Sequence, residues 1–182
     1  MKKYTDINIG DKETLSHTIS KADIDKFVEL TGDDNKLHVD EKYASTTAFK
    51  KPVVHGMLGA SFISTIIGTK LPGDGALWFS QSLEFLLPVR IGDTLTITAE
   101  VLKKNDKEQI IELKTEIQNQ NRQIVTKGIA KVKVIETQKK EEEIIVLENT
   151  TKVALVIGGT GGIGKATCIQ LAKDGFDVII HY

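Results

Sequence analysis

Asp33 and His38 lie five positions apart in a polar stretch, and the run His55-Gly56-Met57 begins seventeen residues after His38. A carboxylate and an imidazole that can meet are a proton-transfer pair, because histidine gives or takes a proton near neutral pH. A glycine that opens an apolar helix exposes a backbone N–H with no intrahelical partner, where the helix dipole favours negative charge. Together they suit proton transfer beside a carbonyl whose oxygen gathers charge, as in an enolate-like transition state at a thioester.

The two side chains cannot share one helix face, since five residues place them about 140° apart. They converge only if the chain loops, and Gly32 and Asn35 make looping easy. A carboxylate held in a largely apolar cavity would be a useful base. The bland alternative is that Asp33 or Asp34 caps a helix and His38 is a satisfied loop residue. Gly56 tips the balance towards chemistry, because an amide without a side chain can be approached closely. His55 reads as a supporting residue and, with Met57 at the same helix start, as a candidate for binding substrate. Ser64, two turns further on, has no adjacent base and is a poor nucleophile. His17 and His181 have no supporting context.

The elements around these residues are legible from period and punctuation. Ser20 with Asp23 three positions later marks a helix start, continued by Ile24, Phe27 and Val28 and stopped by Gly32. Residues 33–40 are polar and aperiodic and read as a loop, with a helical turn at 41–44. Residues 56–70 form the longest helix, apolar around most of its circumference and therefore buried. The breaker run Leu71-Pro72-Gly73 ends it. The period then changes to two: Leu95, Ile97, Ala99 and Val101 alternate with polar residues, as do Ile111, Leu113, Thr115 and Ile117. Earlier strands are expected at 13–19 and 77–87, and a later one around Ala130, Val132 and Val134. The fold class is α+β, an antiparallel sheet wrapped around one central helix.

Bulk composition narrows the setting. The chain has 182 residues, 40% hydrophobic and 27% charged, which is globular. A net charge of −1 gives no reason to expect nucleic acid as a partner. One cysteine, Cys168, excludes an intrachain disulfide and points to a reducing compartment. The start of the chain does not read as a signal peptide, and no apolar run reaches membrane-spanning length. A cytoplasmic protein is expected.

At residues 31–66 the chain resembles the MaoC-like (R)-specific enoyl-CoA hydratases, which have the hot dog fold. The resemblance rests on Asp33, Asn35, Leu37, His38 and Asp40, then Tyr43-Ala44, then Pro52, His55, Gly56 and Met57. It extends over about 5–134. It implies that Asp33 and His38 activate one water and exchange protons with it and with C2 of a trans-2-enoyl-CoA. The product would be an (R)-3-hydroxyacyl-CoA. It further implies that the Gly56 N–H polarises the thioester carbonyl, that Asn35 and Ser64 support the site, and that the chain forms a homodimer. No cofactor and no metal are expected. Lys36 stands where the family usually has proline, which loosens the loop and adds charge near Asp33. Lys50, Lys51 and Arg90 are candidates for the CoA phosphates. A non-catalytic acyl-CoA-binding protein and an acyl-CoA thioesterase remain alternatives.

Residues 136–151 contain a charge run that reads as a solvated linker. From Val153 the chain resembles the first turn of the short-chain dehydrogenases: a strand, then a glycine-rich turn with Gly158, Gly162 and Gly164, then a helix. No Tyr-x-x-x-Lys pair accompanies it. The expected organisation is a hot dog domain over 1–136, a charged linker over 137–151 and a truncated Rossmann fragment over 152–182. A functional dinucleotide site is not expected of so short a piece, since it needs strands on both sides of the switch point.

Overall fold

Ser20 opens the first helix where the sequence places it. The computed structural model describes residues 2–135 and 152–181. In it the Ser20 hydroxyl accepts from the Asp23 N–H at 3.2 Å, and the Asp23 carboxylate accepts from the Ser20 N–H at 2.8 Å. This reciprocal cap satisfies two donors that the helix itself cannot. Helix α1 (Lys21–Thr31) ends at Gly32 and buries Ile24. His17 also has a place: its Nε2 lies 3.1 Å from the Asp23 carboxylate, and its ring stacks on Phe62 at 4.3 Å.

Five antiparallel strands form one sheet: β1 (Lys12–Thr18), β2 (Ala76–Phe85), β3 (Thr94–Asn105), β4 (Ile110–Gln118) and β5 (Ile124–Val134). Their spatial order is β1-β3-β4-β5-β2. The period of two is realised as strict alternation of buried and half-buried residues, through Val101 in β3 and throughout β4. Leu95, Ile97, Ala99 and Val101 are matched by Ile111, Leu113 and Ile117, all at most 1% exposed. Burying one such leucine or isoleucine contributes roughly 1.5–3 kcal/mol.

The central helix, numbered α4 (Gly56–Thr69) in chain order, packs against β1, β2, β3 and β4. Expected to be buried all round, it is buried on one side only. Leu58, Ala60, Ile63, Ile66 and Ile67 face the sheet, whereas Ser61, Ser64, Thr65 and Gly68 are exposed. Those four positions recur at three- and four-residue spacing, so they form a single polar stripe. The flanking glycines and serines are small enough to disguise it in a hydropathy reading.

The segment expected as an irregular loop over 33–40 contains a turn of helix, α2 (Lys36–Val39), followed by α3 (Glu41–Thr46). Asn35 causes it: its Oδ1 accepts from the Leu37 N–H at 3.0 Å and its carbonyl from the His38 N–H at 2.8 Å. Lys36, the departure from the family pattern, is the first residue of this turn. That is a position where proline is favoured, because the N–H there has no intrahelical partner.

The chain divides into two compact units, Met1–Gln138 and Lys139–Tyr182. The linker expected over 137–151 lies outside the described residues. In the second unit β6 (Lys152–Ile157) and β7 (Phe176–His181) pair in parallel, joined by α5 (Gly162–Lys173). Gly158 has φ of 74°, and a Cβ on Gly164 would lie 2.3 Å from the Gly158 carbonyl oxygen. The turn needs glycine at both places, for backbone conformation at one and close approach at the other. Among the described residues no helix is long and apolar enough to cross a membrane.

Candidate active site

Three separate segments carry the site, and backbone carbonyls tie them together. Asp33 follows the α1 cap, His38 sits in α2, and His55 caps α4. His38 Nδ1 lies 2.6 Å from the Val53 carbonyl oxygen. A carbonyl only accepts, so Nδ1 carries the proton and Nε2 of the neutral ring keeps its lone pair. The Val53 N–H in turn donates to the Leu37 carbonyl at 3.1 Å, which staples α2 to the chain entering α4. His55 Nε2 donates to the Asp33 carbonyl at 2.9 Å and lies 3.9 Å from its carboxylate.

The ring of His55 is sandwiched between His38, with centroids 3.9 Å apart, and Phe27, at 4.9 Å. It is 3% exposed, and its Nδ1 has no hydrogen-bond partner among the described residues. Nitrogen and oxygen atoms of Asp33, His38 and His55 all lie within 4.8 Å of one another. Such a trio could be read as metal ligands. His38 Nδ1 and His55 Nε2, however, are each engaged by a backbone carbonyl, which leaves one nitrogen of each ring for proton chemistry.

His38, His55, Gly56 and Met57 line one cavity of about 430 Å³. Its other walls are mainly apolar and include Phe49, Phe85, Leu87, Leu95 and Val125. Gly56 is the first residue of the 14-residue α4, so its N–H has no acceptor within the helix. A Cβ at this position would lie 2.8 Å from the Phe85 ring. A side chain here would have to displace that ring.

Asp33 departs from the expectation of a carboxylate inside an apolar cavity. Its side chain is 51% exposed and stands outside the cavity lining, at the edge marked by His38 and His55. The reason is local: it follows the last turn of α1 directly, and its Oδ1 accepts from the Asn35 N–H at 3.4 Å. Asn35 itself is spent on capping α2. Ser64 lies on the exposed stripe of α4 and is not among the cavity-lining residues.

Arg90, a candidate for the CoA phosphates, clamps the backbone here. Its guanidinium donates to the carbonyls of Lys51, of Pro52 at 2.7 Å and of Phe49 at 2.9 Å. One side chain thus holds the segment that leads to Val53. Lys50 and Lys51 are exposed. Sequence reasoning missed Arg90 as a clamp, and missed the Val53 carbonyl, because neither carries a local signal. It missed Phe85 because the contact with Gly56 spans 29 positions.

A family model described as the MaoC-like domain matches residues 8–123. An (R)-specific enoyl-CoA hydratase of Rhodospirillum rubrum is 52% identical over 98 residues, covering 54% of this chain and 68% of that protein. One from Aeromonas caviae is 41% identical over 128 residues, covering 70% of this chain and 96% of that protein. Among solved structures, the (R)-hydratase from A. caviae involved in PHA biosynthesis superposes with a TM-score of 0.69 at 40% identity. It covers 71% of this chain and 98% of its own. An R-hydratase from Pseudomonas aeruginosa, solved unliganded, gives a TM-score of 0.69 at 36% identity, covering 74% and 86%.

Proposed function

The chain belongs to the MaoC-like domain family, and from that premise we propose that it catalyses the reversible hydration of a trans-2-enoyl-CoA to an (R)-3-hydroxyacyl-CoA. The observation that carries the reading is the meeting of the Asp33 carboxylate and the His38 imidazole within 4.8 Å, at a cavity that opens on the first amide of α4. The hydratases of R. rubrum and A. caviae support it by name and by identity.

In this reading Asp33 and His38 hold one water between them. His38 Nε2 takes a proton as the water oxygen bonds to C3. Charge moves through C2 to the thioester oxygen, where the Gly56 N–H and the dipole of α4 stabilise it. C2 then receives a proton from the pair, so that the elements of water are added across the double bond. His55 positions the pair by donating to the Asp33 backbone.

A cytoplasmic homodimer is part of the same proposal. β2 is an edge strand, and its Leu77 and Phe79 are 48% and 52% exposed, which supports pairing of that edge with a second copy. For the second unit, the parallel pairing and the roles of Gly158 and Gly164 support a reading as the opening strand–helix–strand of a dinucleotide-binding sheet.

Adding crotonyl-CoA and following loss of the conjugated enoyl absorbance tests the hydratase reading, with the product resolved by chiral chromatography. The (R)-alcohol is expected. Release of free thiol would make the protein a thioesterase, and binding without turnover would make it an acyl-CoA carrier.

A further inference from the structure

The cavity behind His38 and Gly56 holds one polar side chain that the proposed chemistry leaves unused. Thr126 is 5% exposed and lines that cavity. It lies on β5 between Ile117 of β4 and Phe85 of β2, to which it is paired on either side. No described residue makes a hydrogen bond with its hydroxyl. Thr115, also buried, is different: its hydroxyl accepts from Gln81 Nε2 at 3.1 Å. The Thr126 hydroxyl has no protein partner among the described residues and is not sealed off, so it is open to whatever fills the cavity. Covering such a group with hydrocarbon strips its water and returns no hydrogen bond.

Volume alone does not limit what the cavity accepts. At roughly 30 Å³ for each water-sized group, about 430 Å³ has room for more than ten of them. Polarity discriminates where volume does not. A short acyl group leaves space for a water on the Thr126 hydroxyl. A longer hydrocarbon tail displaces that water and offers neither donor nor acceptor in its place.

We infer that Thr126 selects acyl length, favouring acyl groups that stop short of its hydroxyl over unbranched hydrocarbon tails that cover it. This rests on reading the cavity as the acyl site of an acyl-CoA enzyme. The test is calorimetric binding of butyryl-, hexanoyl- and octanoyl-CoA to the full chain, which requires no turnover. Thr126→Val removes the hydroxyl and keeps the shape, Thr126→Ala removes it with loss of volume, and Thr126→Ser retains it.

The octanoyl-to-butyryl affinity ratio is expected to rise about tenfold in Thr126→Val, the scale of one unpaired buried polar group. It should rise in the same direction in Thr126→Ala and stay at the wild-type value in Thr126→Ser. A ratio within twofold of wild type in both Thr126→Val and Thr126→Ala would overturn the inference. Crotonyl-CoA turnover by the wild type is scored separately, so a failed hydratase reading and a failed selector are told apart.

Discussion

His38 and His55 stand ring against ring with centroids 3.9 Å apart, each fixed by a single hydrogen bond to a backbone carbonyl of another segment. The stack locks α2 against the start of α4, and the Asp33 carbonyl is one of its two anchors. Replacing His55 by alanine removes the anchor and leaves a hole beside Phe27. Loss of a buried ring and its hydrogen bond should cost about 2–4 kcal/mol, measured by urea unfolding. Turnover should fall with it, because Asp33 loses its register with His38. Full activity in a stably folded His55→Ala protein would show that the register is set elsewhere.

Asp33→Asn separates chemistry from structure. The side chain is half exposed, so stability should stay within about 0.5 kcal/mol of wild type. Hydration of crotonyl-CoA should drop by about 10²–10⁴-fold, the usual contribution of a general acid–base group. Wild-type rates in this variant would remove Asp33 from the mechanism.

Gly56→Ala is expected to be destabilised by about 1–3 kcal/mol, because the new methyl group meets the Phe85 ring. The double variant with Phe85→Ala should recover most of that loss. A double-mutant cycle in urea reads the coupling directly, and additive effects would mean the two residues do not compete for the same space.

Lys36→Pro should stabilise the protein by about 0.4–1 kcal/mol. The residue before a proline must be extended, and Asn35 already is, at φ −48° and ψ 127°. The position is the first of α2, where the missing N–H is not needed. Thermal unfolding checks the sign; a lower midpoint would show that Lys36 has a stabilising contact of its own.

Asp23 gives a pH dependence with a defined direction. Hydrogen bonds from the Ser20 backbone and hydroxyl, helped by His17, hold its carboxyl down to about 2. A folded-state value below the unfolded one contributes stability above pH 4, and that contribution is lost as pH falls through about 2. The group is partly solvated, so about 1–2 kcal/mol is expected. Unfolding of wild type and Asp23→Asn should differ by that amount at neutral pH and converge towards pH 2.

Much of this arrangement was legible in the sequence, and the parts that were not share a cause. The capping box at Ser20, the alternation in β3 and β4 and the glycine opening α4 are local patterns, and local patterns survive reading one residue at a time. The meeting of Asp33 with His38 was legible as a possibility, because Gly32 and Asn35 allow the chain to turn. The half-exposed setting of Asp33 was not, since burial is decided by what lies across the fold. The one-sided burial of α4 was hidden by serine, threonine and glycine, which score as neither polar nor apolar. Arg90, Phe85 and Thr126 act over long sequence separations, and nothing near them in the chain marks what they do.

Phe85 ends an edge strand whose outer side is unpaired among the described residues, and its ring lies where a side chain on the residue that opens α4 would go. In the proposed homodimer, a strand added to that edge would run beside the ring. In the proposed hydratase dimer, that one ring would border both the neighbouring copy and the thioester at the Gly56 amide.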